Sequence, residues 1–96
     1  MADFIFLMHE DGGGAGLDWE PYLSKLREAG VFQGSSAIGR GGECCRKAGS
    51  APDPTFHIGG FIRVTADNLD HAKTLLKGNP VYESGGTVEI RDLPNG

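Results

Sequence analysis

The side chains able to move a proton near neutral pH, or to act as a nucleophile there, are few: three histidines and two cysteines. His9 stands in the run His9-Glu10-Asp11, directly after the apolar stretch Phe4 to Met8. A histidine beside carboxylates can serve as general base or metal ligand. Strand side chains alternate, so His9 and Asp11 can share a face while Glu10 turns away. The plain alternative is a solvated strand end. His57 precedes a second apolar segment and could line a cleft, whereas His71 falls off the apolar stripe of its helix and reads as solvated. No His-x-x-x-His is present, so no metal is expected, and nothing calls for a cofactor.

Ser35 and Ser36 supply hydroxyls, without the Gly-x-Ser-x-Gly surroundings of a nucleophile elbow. Arg40, in a glycine-rich tip, could hold a ligand carboxylate; a solvent-exposed arginine is the ordinary reading. Tyr22 sits one turn into a helix beside a glycine loop, and its hydroxyl needs a partner if buried. Cys44 and Cys45 are neighbours with no Cys-x-x-Cys, so free, inert thiols are expected. The run Gly12-Gly13-Gly14-Ala15-Gly16 lies between strand and helix, as a phosphate-binding turn does. A Gly-x-G-x-x-Gly pattern would need glycine at Leu17, no Gly-Lys-Ser/Thr follows, and Glu10 and Asp11 would repel phosphate. It reads as a flexible loop.

These residues must be positioned by a small set of elements. Phe4 to Met8 is apolar at every position and reads as a central strand buried on both faces. Asp18 is a candidate cap for a helix whose Trp19, Tyr22, Leu23 and Leu26 share one face, with Pro21 in the first turn and Gly30 as its stop. Val31 to Ile38 reads as a strand weakened by Gly34. Gly39 to Asp53 reads as a loop or hairpin tip, with Glu43 to Arg46 as a conceivable edge strand. Phe61 to Thr65 alternates as a half-exposed strand. Asp67 is the expected cap of a second helix with Leu69, Ala72 and Leu76 inward, stopped by Gly78 and kept from resuming by Pro80. Thr87 to Arg91 alternates as a last strand, and Leu93 to Gly96 reads as a frayed tail.

The order β-α-β-β-α-β predicts an α+β, ferredoxin-like fold: an antiparallel sheet with two helices on one face. Two helices cover one face only, and the doubly apolar first strand needs a second cover. A second copy of the chain is the simplest one. With 96 residues, the chain reads as a single domain, 1–96. The 9 basic against 13 acidic residues argue against a nucleic-acid footprint. No run approaches the ~20 apolar residues of a membrane span, and Met1 to Met8 lacks the basic start of a signal peptide. With only two adjacent cysteines, a reducing cytoplasm is expected. Glycine is abundant, 16 of 96, but shows no collagen period.

Taken together, Phe4-Ile5-Phe6-Leu7-Met8, Trp19 through Tyr22-Leu23 to Gly30, Gly59-Gly60-Phe61-Ile62, Leu69-Asp70-His71-Ala72-Lys73, and Asn79-Pro80 through to Gly85-Gly86-Thr87-Val88-Glu89-Ile90-Arg91 resemble the YCII-related, or DGPF-domain, family. The resemblance runs along nearly the whole chain. It implies a ferredoxin-like domain that pairs into a dimeric α+β barrel, with a pocket at the edge of the paired sheets. It also implies that some members are enzymes acting on small cyclic or aromatic compounds through a histidine–aspartate pair, and that others accompany sigma-factor-like regulators. This chain departs from that pattern. Tyr22 stands in the first helix where enzyme-like members carry histidine, and Asn79 precedes Pro80 where some have aspartate. Asp53-Pro54-Thr55-Phe56 is a partial echo of Asp-Gly-Pro-Phe.

The expected site lies where the first strand meets the first helix, lined by His9 and Tyr22, with His57, Ser35 and Ser36 as walls and Arg40 nearby. No acid/base constellation is complete, so no catalytic residue is assigned. The favoured expectation is a homodimeric, non-catalytic binding or regulatory module for a small organic ligand. The other is a lyase- or isomerase-type enzyme with His9 or His57 as acid/base, Tyr22 as proton donor and Arg40 as carboxylate anchor.

Overall fold

Burial alternates along the first strand: Phe4, Phe6 and Met8 are buried, while Ile5 and Leu7 are half-buried on the opposite face. This strand, β1 (Ala2–His9), lies inside a sheet that the computed structural model describes together with the rest of residues 1–12 and 17–94. The flexible-loop reading of Gly13 to Gly16 and the end of the expected tail lie outside the described residues. After β1 come α1 (Glu20–Glu28), β2 (Phe32–Ala37), β3 (Ile58–Ala66), α2 (Leu69–Thr74), α3 (Pro80–Glu83) and β4 (Val88–Leu93). The strand order is β2-β3-β1-β4, and every pairing is antiparallel. The fold is therefore α+β, a four-stranded antiparallel sheet with three helices.

The core forms on one face of that sheet. Phe4, Phe6 and Met8 of β1 and Ile62, Val64 and Ala66 of β3 meet Tyr22 and Leu26 of α1 and Ala72 and Leu76 from the second helical region. Register sets the opposite face in rows: Ser36, Phe61, Leu7 and Glu89 in one, Gly34, Arg63, Ile5 and Arg91 in the next. No helix residue enters a core on that side among the described residues.

Several expected boundaries shift for local reasons. Trp19 takes the cap position of α1, while the Asp18 carboxylate accepts from the Glu20 amide one step inward, at 3.2 Å. Asn68, not Asp67, caps α2 by accepting from the His71 amide at 2.9 Å. The helix thus starts one residue later, and Leu69, expected inward, is turned out to 47% exposure. Pro80 does not merely end a helix: its missing N–H suits a first helical position, and Asn79 caps α3 in front of it. β4 runs on through Leu93, which was expected in the frayed tail. Glu43 to Arg46 forms no strand; residues 39–50 are all exposed, with Gly42 and Gly49 at positive φ. Cys44 and Cys45 are exposed free thiols. No helix of the described residues is long and apolar enough to cross a membrane.

Candidate functional site

A cavity of about 540 Å³ opens at the end of the sheet where β1 finishes and β3 begins. Its floor is Met8 and Ile62, and one wall is Leu17, Trp19 and Leu23 on the approach to α1 and along it. Val81 of α3 closes the far side. His9, Glu10, Ser35 and Ser36 supply the polar rim. The space exists because three glycines line it, Gly12, Gly59 and Gly60. A Cβ on Gly59 would lie 2.7 Å from the Glu10 side chain, and one on Gly60 would lie 3.1 Å from the Ser36 carbonyl oxygen.

His9 is paired with a carboxylate on the neighbouring strand. Its Nε2 is 2.9 Å from Glu89 Oε1 across the β1–β4 pairing. The ring of His57 meets the His9 ring edge-on, with centroids 5.1 Å apart. Arg91 Nη1 donates to the other Glu89 oxygen at 3.3 Å. The hydrogen bond from His9 first, and that from Arg91 second, hold the Glu89 carboxyl below its ordinary value. Glu89 is therefore the acceptor, and His9 Nε2 carries the hydrogen.

The expected residues separate into two groups. His9, Ser35 and Ser36 line the cavity; Tyr22, Arg40 and His57 do not. Tyr22 is 3% exposed and packs into the core, its hydroxyl donating to the Leu75 carbonyl at 2.7 Å. Burial pushes that hydroxyl up to about 12, with a nearby Asn79 amide partly opposing the shift. The physical reason is rotation along the helix. Trp19 and Leu23 face the cavity, while Tyr22 is turned towards α2. Arg40 donates from Nη2 to Glu10 Oε2 at 2.8 Å, so its charge is already engaged at the rim. His57 contributes its ring to His9 and not to the wall. Asn79 is fully buried; its Oδ1 accepts from Val81 and Tyr82 amides, and its Nδ2 has no hydrogen-bond partner among the described residues.

Sequence reasoning missed Glu89 and the wall residues Trp19, Leu23 and Val81. Trp19 and Leu23 read as core because they share the apolar stripe of the first helix with Tyr22, and Val81 was not singled out at all. Glu89 carried a weak signal, an acid in an alternating strand, but nothing in the sequence says which strand lies beside it. Among the described residues, no cluster of three or more histidine, cysteine or acidic side chains could hold a metal ion.

A family model described as the YCII-related domain matches residues 19–94. Among solved structures, the chain is similar to the 5-chloro-2-hydroxyhydroquinone dehydrochlorinase of Burkholderia phenoliruptrix, in its complex with 2,5-dihydroxybenzoquinone. The TM-score is 0.56 at 17% sequence identity, covering 100% of this chain and 96% of that one. At that identity the likeness concerns the fold. Comparison with curated proteins found no match.

Proposed function

The chain belongs to the YCII-related domain family, and from that footing we propose that it is a dimeric, non-catalytic binding module whose cavity takes a compact, largely apolar ring compound. The observation that carries this reading is the wall itself. Met8, Trp19, Leu23, Ile62 and Val81 offer apolar contact, and the rim's Arg40 neighbour, which would recruit a carboxylate, is spent on Glu10. A cavity of about 540 Å³ falls within the ~300–1,000 Å³ usual for small-molecule sites. The dehydrochlorinase of the same fold is named for a chlorinated hydroxyhydroquinone, and its complex holds a single-ring quinone. Tyr22 and Asn79, which replace the acid/base pair implied by the family resemblance, are buried and neutral around pH 7, and this supports binding without turnover.

The dimer is part of the same reading. The order β2-β3-β1-β4 with helices over one face is the split βαβ, ferredoxin-like order. The other face presents half-buried Ile5, Leu7 and Phe61, which a second copy would cover to make the dimeric barrel. The exposed thiols suit a cytoplasmic protein.

The test is a ligand screen followed through tryptophan fluorescence and NMR. Neutral ring compounds should perturb Trp19, Leu23 and Met8, and Trp19→Ala should weaken their binding roughly tenfold or more, the loss of a single buried anchor. Signals moving only around α2 and Arg91 would overturn the placement. A second reading, a lyase- or isomerase-type enzyme using His9 as acid/base, is favoured by one observation, the His9–Glu89 pair. Product appearing from a bound compound over time would select it.

A further inference from the structure

We propose that Cys44 and Cys45 form a vicinal dithiol site that captures a trivalent arsenical, both sulfurs closing on one arsenic atom. The pair lies outside the cavity, so the proposal stands whether or not the binding reading holds. The sequence pattern reads these thiols as inert, the usual state of a free cysteine packed among apolar side chains. The structure removes that ground. Both thiols are free and exposed, side by side in a stretch, residues 39–50, that is exposed throughout.

The spacing selects the occupant. The peptide bond joining the two cysteines is trans, which sets their Cα atoms about 3.8 Å apart. A disulfide wants about 4.4–6.8 Å between Cα atoms and about 2.05 Å between sulfurs, so an adjacent pair closes on itself only with strain. A bridging atom relieves that strain. Two bonds of about 2.3 Å, the length of a zinc–thiolate bond, leave the sulfurs roughly 3–4 Å apart. Zinc itself takes four ligands, and no cluster of three or more ligating side chains is present among the described residues. The neighbouring Glu43 carboxylate is a hard oxygen donor and does not suit a soft centre. What fits is a soft centre satisfied by two protein sulfurs. Trivalent arsenic, which brings a third substituent of its own, is such a centre.

The backbone leaves room for closure. Residues 39–50 enter no strand ladder and no backbone–backbone hydrogen bond among the described residues. A Cβ on Gly39, Gly41, Gly42 or Gly49 would meet nothing within 4 Å, so the chain is unpacked on both sides of the thiols. Turning both side chains to one side therefore disturbs no residue of the core.

In the capture of an arsenoxide, both S–H bonds and the arsenic–oxygen double bond break, and two S–As bonds form. The oxygen leaves with both protons as one water. Arsenic stays trivalent, and nothing is oxidised or reduced. The second S–As bond closes within one molecule, which raises the affinity well above that of a single thiol.

Phenylarsine oxide is the probe. The reduced, full-length protein should gain the mass of one probe molecule less one water, and both thiols should become unreactive together. Cys44→Ser and Cys45→Ser, each keeping one exposed thiol, should bind the probe roughly a hundredfold more weakly. Excess glutathione, a monothiol, should strip it from either variant but not from the parent, whereas 2,3-dimercaptopropanol should strip it from all three. Far-ultraviolet circular dichroism should be the same for the parent and both variants. Single-cysteine variants that bind as tightly as the parent overturn the proposal, as does a parent that glutathione strips equally well. Two probe molecules on one chain, or one probe joining two chains, also overturns it.

Discussion

Asp11 clasps Thr87 with both carboxylate oxygens: Oδ1 accepts from the backbone amide at 2.8 Å and Oδ2 from the hydroxyl at 2.6 Å. An acid that sequence reasoning set beside His9 as a possible catalytic neighbour instead ties the end of β1 to the start of β4. It fixes the strand carrying His9 against the strand carrying Glu89.

That clasp makes a pH prediction. The Thr87 hydroxyl first, and the Thr87 amide second, hold the Asp11 carboxyl below its ordinary value of 3.8. A carboxyl depressed in the folded state stabilises the fold above the unfolded value, and the contribution disappears as pH falls through the folded one. Asp11→Asn should therefore melt lower than the wild type near pH 7, with the two melting curves converging as pH falls below the ordinary carboxylate range. Thermal melts from pH 2 to 7 measure this; parallel curves throughout would contradict it.

At the alkaline end, Tyr22 takes over. Its hydroxyl is raised from 10.0 to about 12 by burial. A raised folded value means that the stabilisation is complete below the unfolded pKa near 10 and is lost as pH rises through the folded one. Up to about 3 kcal/mol should be lost between those limits. Tyr22→Phe should remove this alkaline dependence, at a cost of about 1–2 kcal/mol at neutral pH from the unpaired Leu75 carbonyl. Denaturant titrations at pH 7 and above 10 check both halves.

Gly12 and Gly86 approach so closely that a Cβ on Gly12 would meet Gly86 backbone atoms at 2.7 Å. Backbone cannot swing aside as a side chain can. Gly12→Ala should cost roughly 1–3 kcal/mol and loosen the Asp11 clasp beside it. Gly59→Ala meets only the flexible Glu10 side chain and should cost less, its effect appearing as a broken Glu10–Arg40 contact. Chemical denaturation of both variants compares them.

The proposed dimer predicts a sedimentation mass twice that of one chain at micromolar concentration. Leu7→Asp places a carboxylate in the row of Phe61 and Glu89, on the face away from the core. It should give a folded monomer with unchanged far-ultraviolet circular dichroism. A wild-type monomer would refute the proposal.

The elements were legible where a pattern was long and strong. Phe4 to Met8 announced a central strand, and the alternation of Ile62, Arg63 and Val64 announced a sheet with one covered face. Helix starts were less so, because Asp67 and Asn68 are both competent caps and only the backbone decides between them. The site was legible in part. Its corner followed from the glycines, yet Tyr22 and Trp19, three residues apart on one apolar stripe, divide between core and cavity by a rotation that periodicity does not resolve. Glu89 stayed invisible because its meaning depends on a partner strand 80 residues away.

The strand order has a consequence for how the chain could come apart. β1 pairs with β3 and β4, and β2 pairs with β3, so every ladder in the sheet joins a strand before residue 38 to one after residue 57. The exposed stretch between them carries Arg40, Arg46 and Lys47, ready targets for trypsin. A cut there separates two pieces, neither of which holds a single strand pair of its own. Neither piece can keep a sheet alone, while mixing the two should restore it: the protein is built as two interleaved halves, suited to reconstitution from fragments.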